Sequence, residues 1–304
     1  MLRLFIFEKE QKVFDINGTM IGGQPGRYPT VMIGSMFFQG DKIVTDEKNG
    51  RFNKSEAETI INEVEEASEK TGNPYLIDVV GAWPEALVKY IDFIAEATTV
   101  PFLIDGTTSD VRIAGAKYVK EVGLTERSIY NTIMPEDKKE EITALKESGI
   151  KTAVLLAFNP KMPTLKGRMD VLSELLKAAE AGGIANTLID TAILDVPDPG
   201  PASKAIYKVK ELYGIPAGCG AHNAIDRWHE RKKLERTRYS ISSAVAFTST
   251  IMMGADFLLY GPLKKAAEIF PTIGLADAYV AYSMMQEYGI RPAVNNHPLR
   301  KIFI

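Results

Sequence analysis

A regular alternation of apolar runs and amphipathic stretches begins after residue 28, and it constrains the fold more than any other feature of the sequence. Each apolar run ends in a polar residue, and a charged stretch of helical period follows it. The runs are almost continuously apolar, which is typical of strands in a parallel sheet that is covered on both faces. The predicted strands are Thr30–Met36, Tyr75–Val80, Val100–Asp105, Ser128–Ile133, Thr152–Phe158, Asn186–Asp190, Ile215–Cys219 and Ala255–Tyr260.

Eight helices are predicted between and after these strands. They are Lys54–Thr71, Pro84–Ala97, Asp110–Val122, Glu136–Ser148, Leu165–Ala181, Pro201–Tyr213, Arg238–Met253 and Lys264–Tyr288. Six of these stretches are followed by glycines that we expect in the left-handed conformation, namely Gly72, Gly123, Gly149, Gly183, Gly214 and Gly254. Eight strands alternating with eight helices in about 260 residues predict an α/β fold of the (β/α)8 TIM-barrel type. An open doubly wound sheet is the alternative, which is disfavoured because no G-x-G-x-x-G motif opens a strand–helix turn.

The composition limits the class of protein. We expect a single domain over residues 1–304, in which residues 1–27 form an N-terminal β-hairpin that plugs the bottom of the barrel. The 36 basic and 39 acidic residues give a net charge of −3, which argues against a nucleic-acid partner. No apolar run is long enough to predict a membrane span. A single cysteine allows neither an internal disulfide nor a Cys/His zinc site, and it predicts a cytoplasmic protein.

Polar residues stand at the carboxyl ends of the predicted strands, where barrel enzymes have their active sites. For Ser35 and Asn159 we favour a role in a turn or a helix cap. Asp78, Asp105 and Asp190 each follow an apolar run, which favours buried carboxylates that accept hydrogen bonds from a ligand. Carboxylates combined with amides suit a flat ligand with an amino–imino edge, as in pterins and guanine-like bases. The full set is Ser35, Asp78, Asp105, Thr107, Thr108, Asn131, Asn159, Asp190 and Asn223.

Several blocks of sequence, in order and almost end to end, resemble one family. They include VFDINGTMIGGQPGRYPTVMIGSMFF, TGNPYLIDVVG, VPFLIDGTTSDVRIAGAKYVKEVGL, SIYNTI, VLLAFNP, GAHN and DFLLYGPL. Together they resemble the H subunit of tetrahydromethanopterin S-methyltransferase and its soluble relatives, which move methyl groups between a corrinoid protein and a tetrahydropterin. The wider group is similar to the pterin-binding barrels, including dihydropteroate synthase.

The resemblance implies roles for individual residues. Asp190, in TLIDTAIL, matches the aspartate that grips the pterin amino–imino edge, and Asp78 and Asn131 match further pterin contacts. Asn223, in GAHN, matches a mobile catalytic asparagine whose side chain reaches pterin N5. Asp105 and Thr108, in LIDGTTSD, are further candidates for pterin binding. Thr108 departs from the corrinoid iron–sulfur relatives, which have asparagine near this position.

The implied reaction is methyl transfer between N5 of tetrahydrofolate or tetrahydromethanopterin and the cobalt of a corrinoid. The corrinoid-binding motif D-x-H-x-x-G is missing, because Asp226-Arg-Trp-His229 has the wrong spacing and no glycine. We therefore expect the corrinoid to be supplied by a small partner protein, and no metal to be bound by this chain. We also expect a homodimer. Two alternatives remain: the pterin-binding subunit of a membrane-bound, coenzyme M-linked complex, and a non-catalytic docking subunit.

Weaker signals surround the GAHN block. The stretch Asp226–Arg238 carries more Lys and Arg than Asp and Glu, and it is either a solvated surface or a rim patch for an acidic pterin tail or partner. We interpret Cys219 and His222 as packing residues beside the site, and the pairs Met252–Met253 and Met284–Met285 as core residues.

Overall fold

The structure is a computed structural model that describes residues 5–135, 139–194, 199–226 and 233–303. In this part of the chain eight parallel strands close into one barrel, and strand follows strand around it in chain order. The predicted (β/α)8 barrel is confirmed. The strands of the described residues, which include two small hairpins beside the barrel, are β1 (Val13–Ile16), β2 (Thr19–Gly22), β3 (Val31–Met36), β4 (Val44–Asp46), β5 (Arg51–Phe52), β6 (Tyr75–Gly81), β7 (Phe102–Gly106), β8 (Ser128–Ile133), β9 (Thr152–Leu156), β10 (Asn186–Asp190), β11 (Ala217–Cys219) and β12 (Phe257–Pro262).

The barrel consists of β3 and β6 to β12, and the parallel pairing of β12 with β3 closes it. Helices on the outside cover these strands, because each helix buries the apolar face that the sequence pattern predicts. The helices are α1 (Lys54–Thr71), α2 (Pro84–Ala97), α3 (Ser109–Glu121), α4 (Lys139–Ser148), α5 (Leu165–Ala181), α6 (Pro199–Tyr213), α7 (His222–Asp226), α8 (Arg236–Ile251), α9 (Ala266–Tyr288) and α10 (Pro298–Phe303).

Local sequence sets the ends of the helices. Asn53 caps α1 by accepting a hydrogen bond from the backbone N–H of Glu56, at 3.2 Å. Gly72 ends the same helix with a φ of 85°, and a Cβ at this position would lie 1.9 Å from the carbonyl oxygen of Asn296. All six glycines predicted to end helices have positive φ, so this prediction is confirmed. The predicted start of the fourth helix, at Glu136, lies outside the described residues.

The predicted N-terminal hairpin is confirmed, and it closes the bottom of the barrel. The antiparallel strands β1 and β2 meet at an Asn17–Gly18 turn in which both residues have positive φ, as this dipeptide favours. Ile16 and Ile21, on either side of the turn, are buried against the lowest interior residues of the barrel strands. The hairpin therefore acts as an apolar plug at the end of the barrel opposite the mouth.

A buried ion pair lies at the same end of the barrel. Lys210, on α6, is fully buried and donates to both carboxylate oxygens of Asp256, at 2.6 and 2.8 Å. Its ammonium also donates to the carbonyl oxygen of Gly23, just after the plug, at 3.0 Å. Asp256 accepts a further bond from the backbone N–H of Ala217, at 2.9 Å. This cluster ties α6, the entry to β12 and the plug together.

Three features were not predicted from the sequence. The loop after β3 contains the small β4–β5 hairpin, the segment after β11 forms the five-residue helix α7, and the chain closes on α10. In the ranges that the structure describes, no helix is both long and apolar enough to cross a membrane.

Candidate active site

The barrel interior changes from apolar to polar between one layer of side chains and the next. The apolar layer contains Ile33, Leu76, Leu103, Ile129, Val154 and Leu188, one residue from each of β3, β6, β7, β8, β9 and β10. Successive residues of a strand point to opposite sides, so the residue two positions later on each strand also points into the barrel. Those residues are Ser35, Asp78, Asp105, Asn131, Leu156 and Asp190. We call the five polar members of this layer, all except Leu156, the polar ring.

Asp78 is the most buried member of the polar ring and accepts hydrogen bonds on both oxygens. The hydroxyl of Ser35 donates to Oδ2 at 2.7 Å, and the amide of Asn131 donates to Oδ1 at 3.1 Å. Because the amide nitrogen of Asn131 is directed at Asp78, its carbonyl oxygen is left as the acceptor for a ligand. Our expectation that Ser35 has only a capping role was wrong, since its hydroxyl holds this carboxylate. The turn role of Asn159 is confirmed, because its Oδ1 accepts from the backbone N–H groups of Lys161 and Met162.

Two carboxylates of the ring lie close enough to affect each other. Burial raises the pKa of Asp78 to about 6, although Ser35 and Asn131 oppose this shift. Burial together with the negative charge of Asp78 raises the pKa of Asp105 well above its usual value, and the positive charge of Arg112 opposes this rise. Asp105 is aligned with Asn131 in the β7–β8 register. A protonated carboxyl donates as well as accepts, so this side of the ring can bind both donors and acceptors of a ligand.

Asp190 lies on the other side of the ring, separated from Asn131 by Leu156 on β9. Its Oδ1 accepts from the backbone N–H of Ala192 at 2.7 Å, and its side chain is half-buried. Among the described residues nothing donates to Oδ2, which is therefore the free acceptor for a ligand. Burial raises the pKa of Asp190 to about 6, while the Ala192 amide and the positive charge of Arg168 oppose the shift.

Asn223 lies on α7, just beyond the end of β11. Its amide nitrogen is 3.2 Å from the point where a side chain on Gly220 would begin, so the absence of a Cβ at Gly220 leaves room for the amide. A ring nitrogen of His222 lies 3.0 Å from the carbonyl oxygen of Leu259, which holds α7 against β12. The sequence indicated Asn223, but the space that Gly220 leaves for it was not anticipated.

The remaining predicted residues lie around this centre. Thr108 is exposed at the start of α3, makes no side-chain capping bond, and stands at the mouth outside the polar ring. Cys219 is fully buried, and burial with the nearby charge of Asp190 raises the pKa of its thiol. Residues 227–232 of the basic stretch, with His229, lie outside the described residues.

A cavity of about 860 Å³, including its opening, lies at the mouth of the barrel, and its lining includes Leu156 but none of the five residues of the polar ring. It lies between the loops that follow β8, β9 and β10, and Leu156 forms part of its floor. Its lining is mostly apolar, and it is formed by Met134, Pro135, Leu156, Phe158, Asn159, Pro160, Lys161, Val171 and Leu194. Apolar walls beside a few polar groups are typical of sites for small flat ligands. In the residues that can be described, no group of three or more His, Cys, Asp or Glu side chains is arranged to hold a metal ion.

Comparison with known proteins identifies the family. The sequence profile of the tetrahydromethanopterin S-methyltransferase MtrH subunit matches residues 9–293. The chain belongs to the MtrH family. It is 39% identical to the H subunit of tetrahydromethanopterin S-methyltransferase from Methanothermobacter thermautotrophicus, over 98% of this chain and 100% of that protein. The H subunit of a putative mtx methyltransferase from Methanosarcina barkeri is 38% identical, over 97% of this chain and 99% of its own length. The predicted family and the prediction of a methyltransferase are confirmed.

Solved structures support the fold of this MtrH-family chain. A dihydropteroate synthase from Xanthomonas albilineans, in complex with indole-2-carboxylic acid and 6-chloroguanine, superimposes with a TM-score of 0.63 at 17% identity, covering 91% of this chain and 98% of that one. The same enzyme in complex with 7,8-dihydropteroate gives a TM-score of 0.60 at 16% identity, covering 88% and 98%. The likeness at this level of identity concerns the barrel alone.

Proposed function

We propose that this protein transfers a methyl group between N5 of a tetrahydropterin and the cobalt of a corrinoid that is carried by a separate protein. Tetrahydromethanopterin is the favoured pterin, because the family and its relatives are named for it. The observation that carries the proposal is the polar ring, in which three carboxylates and one amide replace apolar residues at a single level of the barrel.

The ring offers acceptors where a pterin has donors. In the proposed complex, Oδ2 of Asp190 accepts from the amino–imino edge of the pterin, and the carbonyl oxygen of Asn131 accepts from another N–H group. Asp78 and Ser35 act behind Asn131 by fixing which way its amide points. Hydrogen bonds to an ionised carboxylate in a closed site are roughly twice as strong as neutral ones, so Asp190 supplies most of the affinity. Asp105 and Thr108 remain proposed contacts further along the ligand.

The difficult step is the cleavage of the bond between N5 and the methyl carbon. An amine anion is a poor leaving group, so the nitrogen needs a proton or a strong hydrogen bond in the transition state. Asn223 is the proposed donor, since α7 stands at the mouth and its amide occupies the space beside Gly220. In the reverse direction a neutral N5 is itself the nucleophile and requires only positioning. The corrinoid supplies the cobalt centre that gives or accepts the methyl group.

The corrinoid is proposed to arrive from outside. The sequence lacks the usual corrinoid-binding motif, and the plug leaves the mouth as the open end of the barrel. A partner protein must therefore present the cobalt at the mouth, above the polar ring. The proposed ligands are thus a tetrahydropterin, which this chain binds as substrate, and a corrinoid, which the partner carries. We also propose that the protein is a homodimer and that it is cytoplasmic.

A methyl-transfer assay tests this function. Purified protein should be colourless, and with methylcobalamin or a methylated corrinoid protein it should convert tetrahydromethanopterin to its N5-methyl form. Tetrahydrofolate in a parallel assay identifies the preferred pterin. Purification with stoichiometric corrinoid, visible by its absorption, would contradict the external cofactor, and failure to transfer methyl to either pterin would contradict the reaction.

A second candidate function is that of the pterin-binding subunit in a membrane-bound, coenzyme M-linked complex. It is favoured by the relatives that are named as the H subunit of tetrahydromethanopterin S-methyltransferase and match the chain along almost their whole length. Co-purification of the tagged protein with membranes of its own cells would support it. Recovery in the supernatant together with a small corrinoid protein would support the separate enzyme.

A further inference from the structure

Arg168 is an arginine with no exposed surface, directly behind Asp190. It is 0% exposed, although arginine is almost never fully buried unless its charge and its donors are satisfied. Its Nε donates to the carbonyl oxygen of Thr191 at 2.7 Å and one terminal nitrogen donates to that of Ala192 at 3.0 Å. The other terminal nitrogen donates to the carbonyl oxygen of Pro163 at 2.7 Å. One guanidinium therefore holds two neighbouring mouth loops, after β9 and after β10.

The local sequence brings this arginine to its place. Thr164 caps α5 by accepting from the backbone N–H of Gly167, at 3.3 Å. A side chain on Gly167 would begin 1.9 Å from the carbonyl oxygen of Met162, so only glycine allows the first turn of α5 to lie this close to the preceding loop. The ring of Phe158, which lines the mouth cavity, lies 5.6 Å from the Arg168 guanidinium. Arg168 is thus fixed by packing on both sides.

Arg168 and Asp190 both form hydrogen bonds to the backbone of residues 191–192. The N–H of Ala192 donates to Oδ1 of Asp190, while the carbonyl oxygens of Thr191 and Ala192 both accept from Arg168. Among the described residues, the groups that face Asp190 are Arg168 from α5 and the neutral thiol of Cys219 from β11, with the uncharged Leu156 and Gly218 on the flanking strands. Arg168 is therefore the positive charge among the groups named here.

We propose that Arg168 is a positioning residue for pterin recognition, which aims Oδ2 of Asp190 at the ligand and keeps that carboxylate ionised when the ligand displaces water. This inference rests on the proposed function. It adds a residue that does not touch the ligand but acts on its main acceptor through the 191–192 backbone and through its charge. Burial raises the pKa of Asp190 and Arg168 lowers it, which agrees with the second part of this role.

A double-mutant cycle separates this role from a merely structural one. The variants are Arg168→Met, Asp190→Asn and the double mutant, and calorimetry at pH 7.5 measures tetrahydromethanopterin binding. We expect Asp190→Asn to weaken binding by about 30-fold or more and Arg168→Met by about 10-fold. In the Asp190→Asn background, Arg168→Met should cost less than about twofold. An equal loss in both backgrounds would overturn the inference, because a structural defect does not depend on the carboxylate.

The pH dependence gives a second readout. Affinity should fall as the pH decreases through the pKa of Asp190, and this midpoint should move upward in Arg168→Met but stay near the wild-type value in Arg168→Lys. If Arg168→Met does not fold, Arg168→Lys is used in the same cycle, where an uncoupled loss again overturns the inference. Lys166→Met, an exposed position on the same helix, is the matched control and should bind normally. Normal binding by Asp190→Asn would overturn the proposed pterin site as well, whereas absent coupling alone overturns only the role of Arg168.

Discussion

Replacing Asp78 with asparagine should remove a charge from the polar ring while keeping both of its hydrogen bonds. Asn131 can still donate to the oxygen that remains at Oδ1. The hydroxyl of Ser35 can turn from donor to acceptor, because a hydroxyl serves as both. The variant therefore isolates the cost of holding an ionised carboxylate in a buried position without a ligand.

The magnitude follows from the pKa of this carboxyl group, which burial raises from 3.8 to about 6. One pKa unit corresponds to about 1.4 kcal/mol, so ionised Asp78 costs the folded protein up to about 3 kcal/mol. A carboxyl with a raised pKa binds protons more tightly in the folded state, so this cost is absent below about pH 4 and complete above about pH 7. We expect Asp78→Asn to be more stable than the wild type by about 1–3 kcal/mol at pH 7.5, and equally stable near pH 4.

Urea denaturation at several pH values, with the free energy of unfolding extrapolated to water, is the appropriate assay. Asp170→Asn, an isosteric change on the exposed side of α5, is the matched control and should show no gain at any pH. A variant that is less stable than the wild type at pH 7.5 would refute the reasoning. A gain that persists unchanged at pH 4 would also refute it, because the effect would then not come from the charge.

Four further outcomes test the site and the fold. Asp190→Ala should weaken tetrahydropterin binding by about 2–4 kcal/mol in calorimetry, since the main charged acceptor is lost, and unchanged affinity would remove it from the site. Asn223→Ala should slow single-turnover methyl transfer about 10²–10³-fold at saturating pterin with little change in binding, and a wild-type rate would exclude the residue. Ile21→Ala should lower the free energy of unfolding by about 2–5 kcal/mol, because it leaves a cavity in the plug. Pterin affinity should stay the same, and a changed affinity would contradict a purely structural role of the plug. Lys210→Met should cost about 3–5 kcal/mol in denaturation because Asp256 is left as an unpaired buried charge, and a cost below about 1 kcal/mol would show that the pair is not needed.

The sequence predicted the barrel well because apolar strands and amphipathic helices carry strong local patterns. The bounds of β8, β10, α1, α2 and α5 agree with prediction to the residue. The β4–β5 hairpin was missed because its strands are short, partly charged and do not alternate clearly. The helix α7 was missed because five residues after a strand read as a loop.

The candidate site was predictable only where strand geometry decides it. Asp78 lies within β6 and Asp190 is the last residue of β10, and alternation along these strands places both in the barrel interior. Ser35 was misjudged because serine near the end of a strand is equally common in caps and turns, and only the register with β6 shows that it meets Asp78. Arg168 gave no signal, since an arginine near the start of an amphipathic helix is normally solvated, and its burial depends on how the loops after β9 and β10 fold over it.

The hairpin plug closes the bottom of the barrel and leaves the mouth as its open end, and this has a kinetic consequence for the proposed reaction. In the proposed reaction, the pterin enters and leaves by the same mouth that the proposed corrinoid protein covers during methyl transfer. Binding is therefore compulsorily ordered: the pterin goes in before the partner docks, and the altered pterin comes out only after the partner has left. Excess corrinoid protein should then act as an inhibitor, because a partner that docks on the pterin-free barrel blocks the mouth through which the pterin has to enter.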